Sequence, residues 1–187
     1  KADQWAVAGH QVELSTQDGL RIAPTDFKVE WRQDAETAVV NGNASASFLD
    51  LAALGRLAAY LPLDVRSREL LTQHRPQGRI AELRASWALD GDALTRYSLK
   101  AGFNQLGVEA DRYFPGAGGL SGNIDLTEKG GVLALDSAIS SLSLPAVFPE
   151  PEIALNLLKA KASWKTMPQA IDIKLEKLEF AGPDAAG

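Results

Sequence analysis

The feature that most constrains this chain is its two-residue rhythm. Phe27-Lys28-Val29-Glu30-Trp31 alternates apolar and polar side chains, the pattern of a strand with one dry and one wet face. Leu83, Ala85, Trp87 and Leu89 alternate with Arg84, Ser86 and Ala88, and Tyr97, Leu99, Ala101 and Phe103 alternate with Ser98, Lys100 and Gly102. Ile124 and Leu126, Leu133 and Leu135, then Leu158, Ala160, Ala162 and Trp164, then Ile171, Ile173 and Leu175 continue it. Past Leu175 the apolar phase slips to Leu178 and Phe180, which predicts a bulge near Lys177.

Turn residues fall between these runs: Asp90-Gly91-Asp92, Lys129-Gly130-Gly131 and Met167-Pro168-Gln169. Strands joined this closely pair antiparallel, because a parallel pair needs a crossover of about a dozen residues. The fold expected is mainly β: a long curved antiparallel sheet of about nine or ten strands, shaped as a groove or taco, with a short helical pair. Residues 1–187 read as a single β-rich unit, with a flexible tail over 181–187.

One segment, about 48–75, leaves the rhythm and reads as a helical insertion. Ser47-Phe48-Leu49-Asp50 fits a loose capping box, and Leu51, Leu54, Ala58 and Leu61 then recur at helical spacing. Pro62 ends that helix, and a second is expected from Asp64 to His74, closed by Pro76 and Gly78. The pair should pack over one end or face of the sheet, with a membrane-surface role for Arg56, Arg66 and Arg68 as the alternative.

A weak repeat runs through the strands. Lys28-Val29-Glu30-Trp31, Arg84-Ala85-Ser86-Trp87 and Lys161-Ala162-Ser163-Trp164 share a basic–small–polar–Trp order, each Trp just before a turn. If those turns lie on one rim, the three indoles line it. The plainer reading is that Trp is simply a good strand residue at a common place.

Composition serves mainly to exclude. Net charge is −5 with acids and bases mixed, which is not the basic stripe of a nucleic-acid binder. There is no cysteine, so thiolate metal sites, disulfides and cysteine nucleophiles are out, and two histidines, His10 and His74, do not make an all-histidine metal site. Gly116-Ala117-Gly118-Gly119-Leu120-Ser121-Gly122 resembles a phosphate loop, but Asn123-Ile124 stand where Lys and Ser or Thr are needed, so it reads as a flexible loop. Asp90-Gly91-Asp92 lacks the further acids of a calcium loop, and no serine sits in a nucleophile elbow. No metal, cofactor or catalytic residue is expected, and the chain is read as non-enzymatic. The longest apolar stretch, Leu51 to Leu63, is 13 residues and holds Arg56, short of the roughly 20 that cross a bilayer. Lys1 in place of an initiator Met, and the small residues Ala181 to Gly187, suggest an excerpt of a longer protein.

Several stretches together carry a resemblance. Leu120-Ser121-Gly122-Asn123-Ile124-Asp125-Leu126 runs through Glu128-Lys129-Gly130-Gly131 to Leu135-Asp136-Ser137, and Leu144-Pro145-Ala146-Val147-Phe148-Pro149-Glu150-Pro151 follows. Upstream stand Arg75-Pro76-Gln77-Gly78-Arg79-Ile80 and Tyr97-Ser98-Leu99-Lys100-Ala101-Gly102-Phe103. From about Ala46 to Phe180 this arrangement resembles the YhdP family, an AsmA-like, TamB-related group of Gram-negative envelope proteins. The resemblance implies an internal periplasmic segment of a protein anchored in the inner membrane. It implies phospholipid acyl chains as partners, transport between inner and outer membrane, and upkeep of the outer-membrane permeability barrier. No catalytic motif comes with it.

Apolar residues of the strands are then candidates for a lipid groove: Trp87, Leu89, Leu99, Phe103, Ile124, Leu126, Leu133 and Leu135. Periodicity does not separate a groove from an ordinary core, because both require the same alternation. Two other readings stay open: a β scaffold that binds envelope proteins by strand addition, and a glycan-active enzyme with a spatially paired set of carboxylates. An open or closed apolar face is the observation that discriminates most.

Overall fold

A computed structural model of the chain describes residues 3–15, 21–57, 65–111, 114–146, 152–183 and 186–187. The alternating segments are all strands. They are β1 (Gln4–Ser15), β2 (Arg21–Gln33), β3 (Val40–Asp50), β4 (Gln77–Asp90), β5 (Ala93–Val108), β6 (Gly116–Thr127), β7 (Gly130–Ser137), β8 (Ser140–Ser143), β9 (Glu152–Leu155), β10 (Leu157–Met167) and β11 (Ala170–Ala181). Two helices, α1 (Leu51–Leu57) and α2 (Val65–His74), lie between β3 and β4.

All described pairings are antiparallel, and nine strands follow the order β1-β2-β3-β4-β5-β6-β7-β10-β11. β8 joins the edge of β6 beyond the end of β7, and β9 joins β8. Eleven strands therefore stand where the rhythm predicts nine or ten, because β8 and β9 have four residues each and are too short to show a period. β1 and β11 do not pair with each other, so the sheet is open.

The three expected turns are present as β4–β5, β6–β7 and β10–β11 hairpins. Ala162 pairs with Leu175 and Lys161 with Lys177, so Glu176 is the extra residue of the bulge expected beside it. Three further bulges fall where Gln11, Glu82 and Gln105 adopt positive φ on β1, β4 and β5, and each bends its strand. Two of the amides freed there find side chains on the neighbouring strand. Gln11 N donates to Asp26 Oδ1 at 2.7 Å, and Gln105 N to Ser121 Oγ at 3.1 Å.

Two local readings are corrected. Ser47 does not cap α1: it lies inside β3, where its Oγ accepts from Asp26 N. Asp50 is the cap, with its Oδ1 accepting from Ala53 N at 2.9 Å, because the strand pairing with Arg79 persists to Asp50 before the chain turns. The glycine run is likewise not a loop but the first half of β6. Its glycines are required by crowding between strands: a Cβ at Gly122 would stand 2.1 Å from Ala134 O, and Gly119 has φ +71 with Ile139 O in the way. The residues around Pro62, and the expected start at Asp64, lie outside the described set; α2 runs Val65–His74 and ends at His74 as expected. At the C-terminus Phe180 and Gly187 exchange two backbone hydrogen bonds of 2.8 and 2.9 Å.

Among the described residues, packing between layers is slight. α1 lies against β3 and β4 and buries Ala53, and the other extensive contacts join strands that pair in the sheet. Among the described residues the buried apolar side chains are Ala46, Ala53, Ala88, Ala101, Phe103, Leu155 and Leu158. A sheet of this span would normally bury a row of large side chains under a second layer.

Candidate functional site

Residues directly opposite in neighbouring strands share a face, so the register sorts the whole sheet. One transverse row reads Val7, Val29, Ala44, Ala85, Leu99, Leu126, Gly131, Trp164, Ile173 across all nine strands. Nine strands make eight spacings of about 4.8 Å, so this row is about 38 Å long. Toward one rim the next row is Trp5, Trp31, Gly42, Trp87 and Tyr97. In the other direction come Phe27, Ala46 and Leu83, then Ala101, Ile124, Leu133, Ala162 and Leu175. Beyond them lie Phe103, Gly122, Leu135, Ala160 and Leu178.

All eight groove candidates, Trp87, Leu89, Leu99, Phe103, Ile124, Leu126, Leu133 and Leu135, fall on this one apolar face. Phe103 is buried and the other seven are half-buried. The face grows more exposed toward both edges: Trp5 and Val7 on β1 are 47% and 51% exposed, and Ile171, Ile173 and Leu175 on β11 are 62%, 69% and 56%. The candidates cover only the middle of the face. Val29, Trp31, Leu83, Ala162, Ile173 and Leu175 belong with them by the same rhythm. The β1 share went unread because Trp5-Ala6-Val7-Ala8 has alanines where polar residues would mark the wet side.

The indoles lie as the repeat suggests. β2, β4 and β10 run the same way and end on one rim, with Trp31, Trp87 and Trp164 close to those ends. Two rest on glycines of the adjacent strand: a Cβ at Gly42 would stand 2.1 Å from Trp87 Cε2, and one at Gly131 would stand 2.7 Å from Trp164 Cζ2. Trp5 stacks on Trp31 with ring centroids 6.1 Å apart.

The opposite face is wet and self-paired. Lys28 meets Glu30 at 2.8 Å, Lys100 meets Asp125 at 3.0 Å, and Ser86 Oγ lies 2.7 Å from Ser98 Oγ. Lys161 meets Glu176 at 2.8 Å, and that hydrogen-bonded ammonium, with its charge, holds the Glu176 carboxyl below the usual carboxylate range. The basic residue of each repeat therefore points to water while its small residue and Trp line the dry face.

The two histidines have separate settings: His10 lies 3.7 Å from Asp26 on β1–β2, and His74 packs on Phe114 with ring centroids 4.9 Å apart. Asp90-Gly91-Asp92 is a hairpin turn with Gly91 at φ +57. A cavity of about 460 Å³ at the far end of the apolar face is lined by Leu142, Ile153, Leu155, Leu158, Leu178 and Phe180. What this arrangement offers chemically is non-directional apolar contact along a line of strands. No helix among the described residues is long and apolar enough to cross a membrane.

Comparison with known proteins gives one match: a family model described as YhdP protein covers residues 1–187. No curated protein and no solved structure matches.

Proposed function

We propose a function from the premise that this chain belongs to the YhdP family. It is a non-enzymatic segment of a periplasmic, inner-membrane-anchored envelope protein, and its apolar face carries phospholipid acyl chains on their way between inner and outer membrane. Through that traffic it supports the outer-membrane permeability barrier.

The observation that carries this reading is an apolar face whose large side chains stay partly exposed among the described residues. One of its rows joins all nine strands without a polar break, yet few of its large side chains are buried among the described residues. Each acyl CH₂ removed from water contributes about 0.8 kcal/mol wherever it lies on such a surface. Contacts that are weak, repeated and undirected hold a chain without fixing its position along the row. The bulges on β1, β4 and β5 favour a sheet that bends around such a cargo.

The test is an organic extract of the purified protein, read by mass spectrometry, with a photo-crosslinker placed at Leu99 or at its neighbour Ser98. Phospholipid in the extract and crosslinks from position 99 but not 98 support the reading. A lipid-free protein that crosslinks at neither position refutes it. One observation favours a second reading, a scaffold that takes a partner strand. β11 has one unpaired edge, and its apolar residues are among the most exposed of the chain. A stoichiometric protein captured from envelope extract in place of lipid would select it.

A further inference from the structure

Aromatic side chains on the apolar face are sorted by their chemistry. Trp5, Trp31, Trp87 and Tyr97 stand in one row close to the β2–β3 and β4–β5 turns, with Val40, Leu89 and Leu94 between it and the rim, and Trp164 stands beside the β6–β7 turn. Phe27 lies two rows further in and Phe103 three. Indole N–H and phenol O–H groups suit a boundary with one dry and one wet side, whereas phenyl rings have no polar end to offer water. The apolar face thus carries its polar-tipped aromatic rings toward one rim and these phenyl rings further in.

The charge beside that margin is acidic on balance. The turns of this rim carry Asp34, Glu36, Asp90, Asp92 and Glu128 against one cation, Lys129. Arg32 and Arg96 stand close by at positions of the polar face, as Asp90 does, and their charges act on Asp34 and Glu128, so the rim holds five carboxylates against three cations. The Glu128 carboxylate reaches the aromatic row itself, accepting from Tyr97 N at 3.3 Å. A margin rich in carboxylates complements an ammonium group and opposes a net anionic headgroup.

We propose that the Trp5–Trp31–Trp87–Tyr97 row is the wet lip of the lipid path. It seats the glycerol-ester and headgroup end of a zwitterionic phospholipid that bears an ammonium group, while the acyl chains lie inward on the aliphatic rows. This rests on the lipid-carrying reading above and adds which way the lipid faces and which headgroup it has.

All four tryptophans of the chain lie on the apolar face, three of them in the lip row, so native indole emission reports contact at the margin. The full chain is incubated with vesicles of phosphatidylethanolamine brominated either near the ester end of the acyl chain or near its terminal methyl, then reisolated. Bound lipid is quantified by mass spectrometry in each case. The expected result is a greater loss of emission per bound lipid with bromine near the ester end. Equal or reversed quenching with lipid bound overturns the lip and leaves the lipid reading standing; no bound lipid in either case fails both. In a second arm, vesicles mix phosphatidylethanolamine and phosphatidylglycerol in equal parts. Enrichment of the ethanolamine lipid, diminished in a Glu128→Gln, Asp92→Asn variant, supports the headgroup assignment. Equal uptake, or preference for the glycerol lipid, overturns it.

Discussion

Truncating one side chain on each part of the apolar face measures how much of it is covered. Ile173 on β11 is 69% exposed and Phe103 on β5 is 9% exposed. Full burial of a side chain such as Ile is worth about 1.5–3 kcal/mol, so the third of Ile173 that is covered contributes roughly 0.5–1 kcal/mol. Loss of the β-branched shape adds up to about 1 kcal/mol. Ile173→Ala should therefore cost about 1 kcal/mol, and less than about 2, whereas an Ile under a second layer would cost about 2–5 kcal/mol. Phe103→Ala should cost about 3–5 kcal/mol, since it empties a buried site. The assay is urea unfolding of both variants and the parent chain, with unchanged m-values as the condition for comparing midpoints. If Ile173→Ala costs as much as Phe103→Ala, the face is covered in solution and the reasoning from an open sheet fails.

Gly42→Val places a side chain where the Trp87 indole lies; it should cost about 1–3 kcal/mol and shift the indole emission, read by urea unfolding followed through fluorescence. Asp50→Ala removes the cap of α1 and should cost about 0.5–2 kcal/mol, with faster hydrogen exchange at Ala53 N while the sheet amides stay protected. The Asp34 carboxyl is held low by amide hydrogen bonds from Thr37 and Glu36, Glu128 by those of its own amide and of Tyr97, and Glu176 by Lys161. A depressed folded-state pKa stabilises the fold above the unfolded value and loses that effect as pH falls through the folded one. The urea midpoint should therefore drop below about pH 4, with a shallower drop in Asp34→Asn.

Much of the fold was legible because strands announce themselves by a period of two. The runs from Phe27, Leu83, Tyr97, Leu133, Leu158 and Ile171 all became strands, and the phase slip after Leu175 became the Glu176 bulge. What was missed lacked that contrast. Trp5-Ala6-Val7-Ala8 has no polar partner residues, and Ser140–Ser143 is too short. Gly116 to Gly122 resembles a loop because glycine permits turns, yet here the same lack of a Cβ lets β5, β7 and β8 crowd against β6. Ser47 and Asp50 both offer a capping oxygen; the length of the β3–β4 pairing decided between them.

By itself, the sequence determined which side chains share a face, because alternation along each strand and short turns between strands leave the register little freedom. It therefore determined that Trp87, Leu89, Leu99, Phe103, Ile124, Leu126, Leu133 and Leu135 stand together. Whether anything lies over them was decided only by the tertiary structure. A core and an open surface ask for the same alternation, and the difference depends on whether distant elements fold across the face. Here α1 reaches β3 and β4, β1 and β11 stay apart, and large side chains near both edges remain in contact with water.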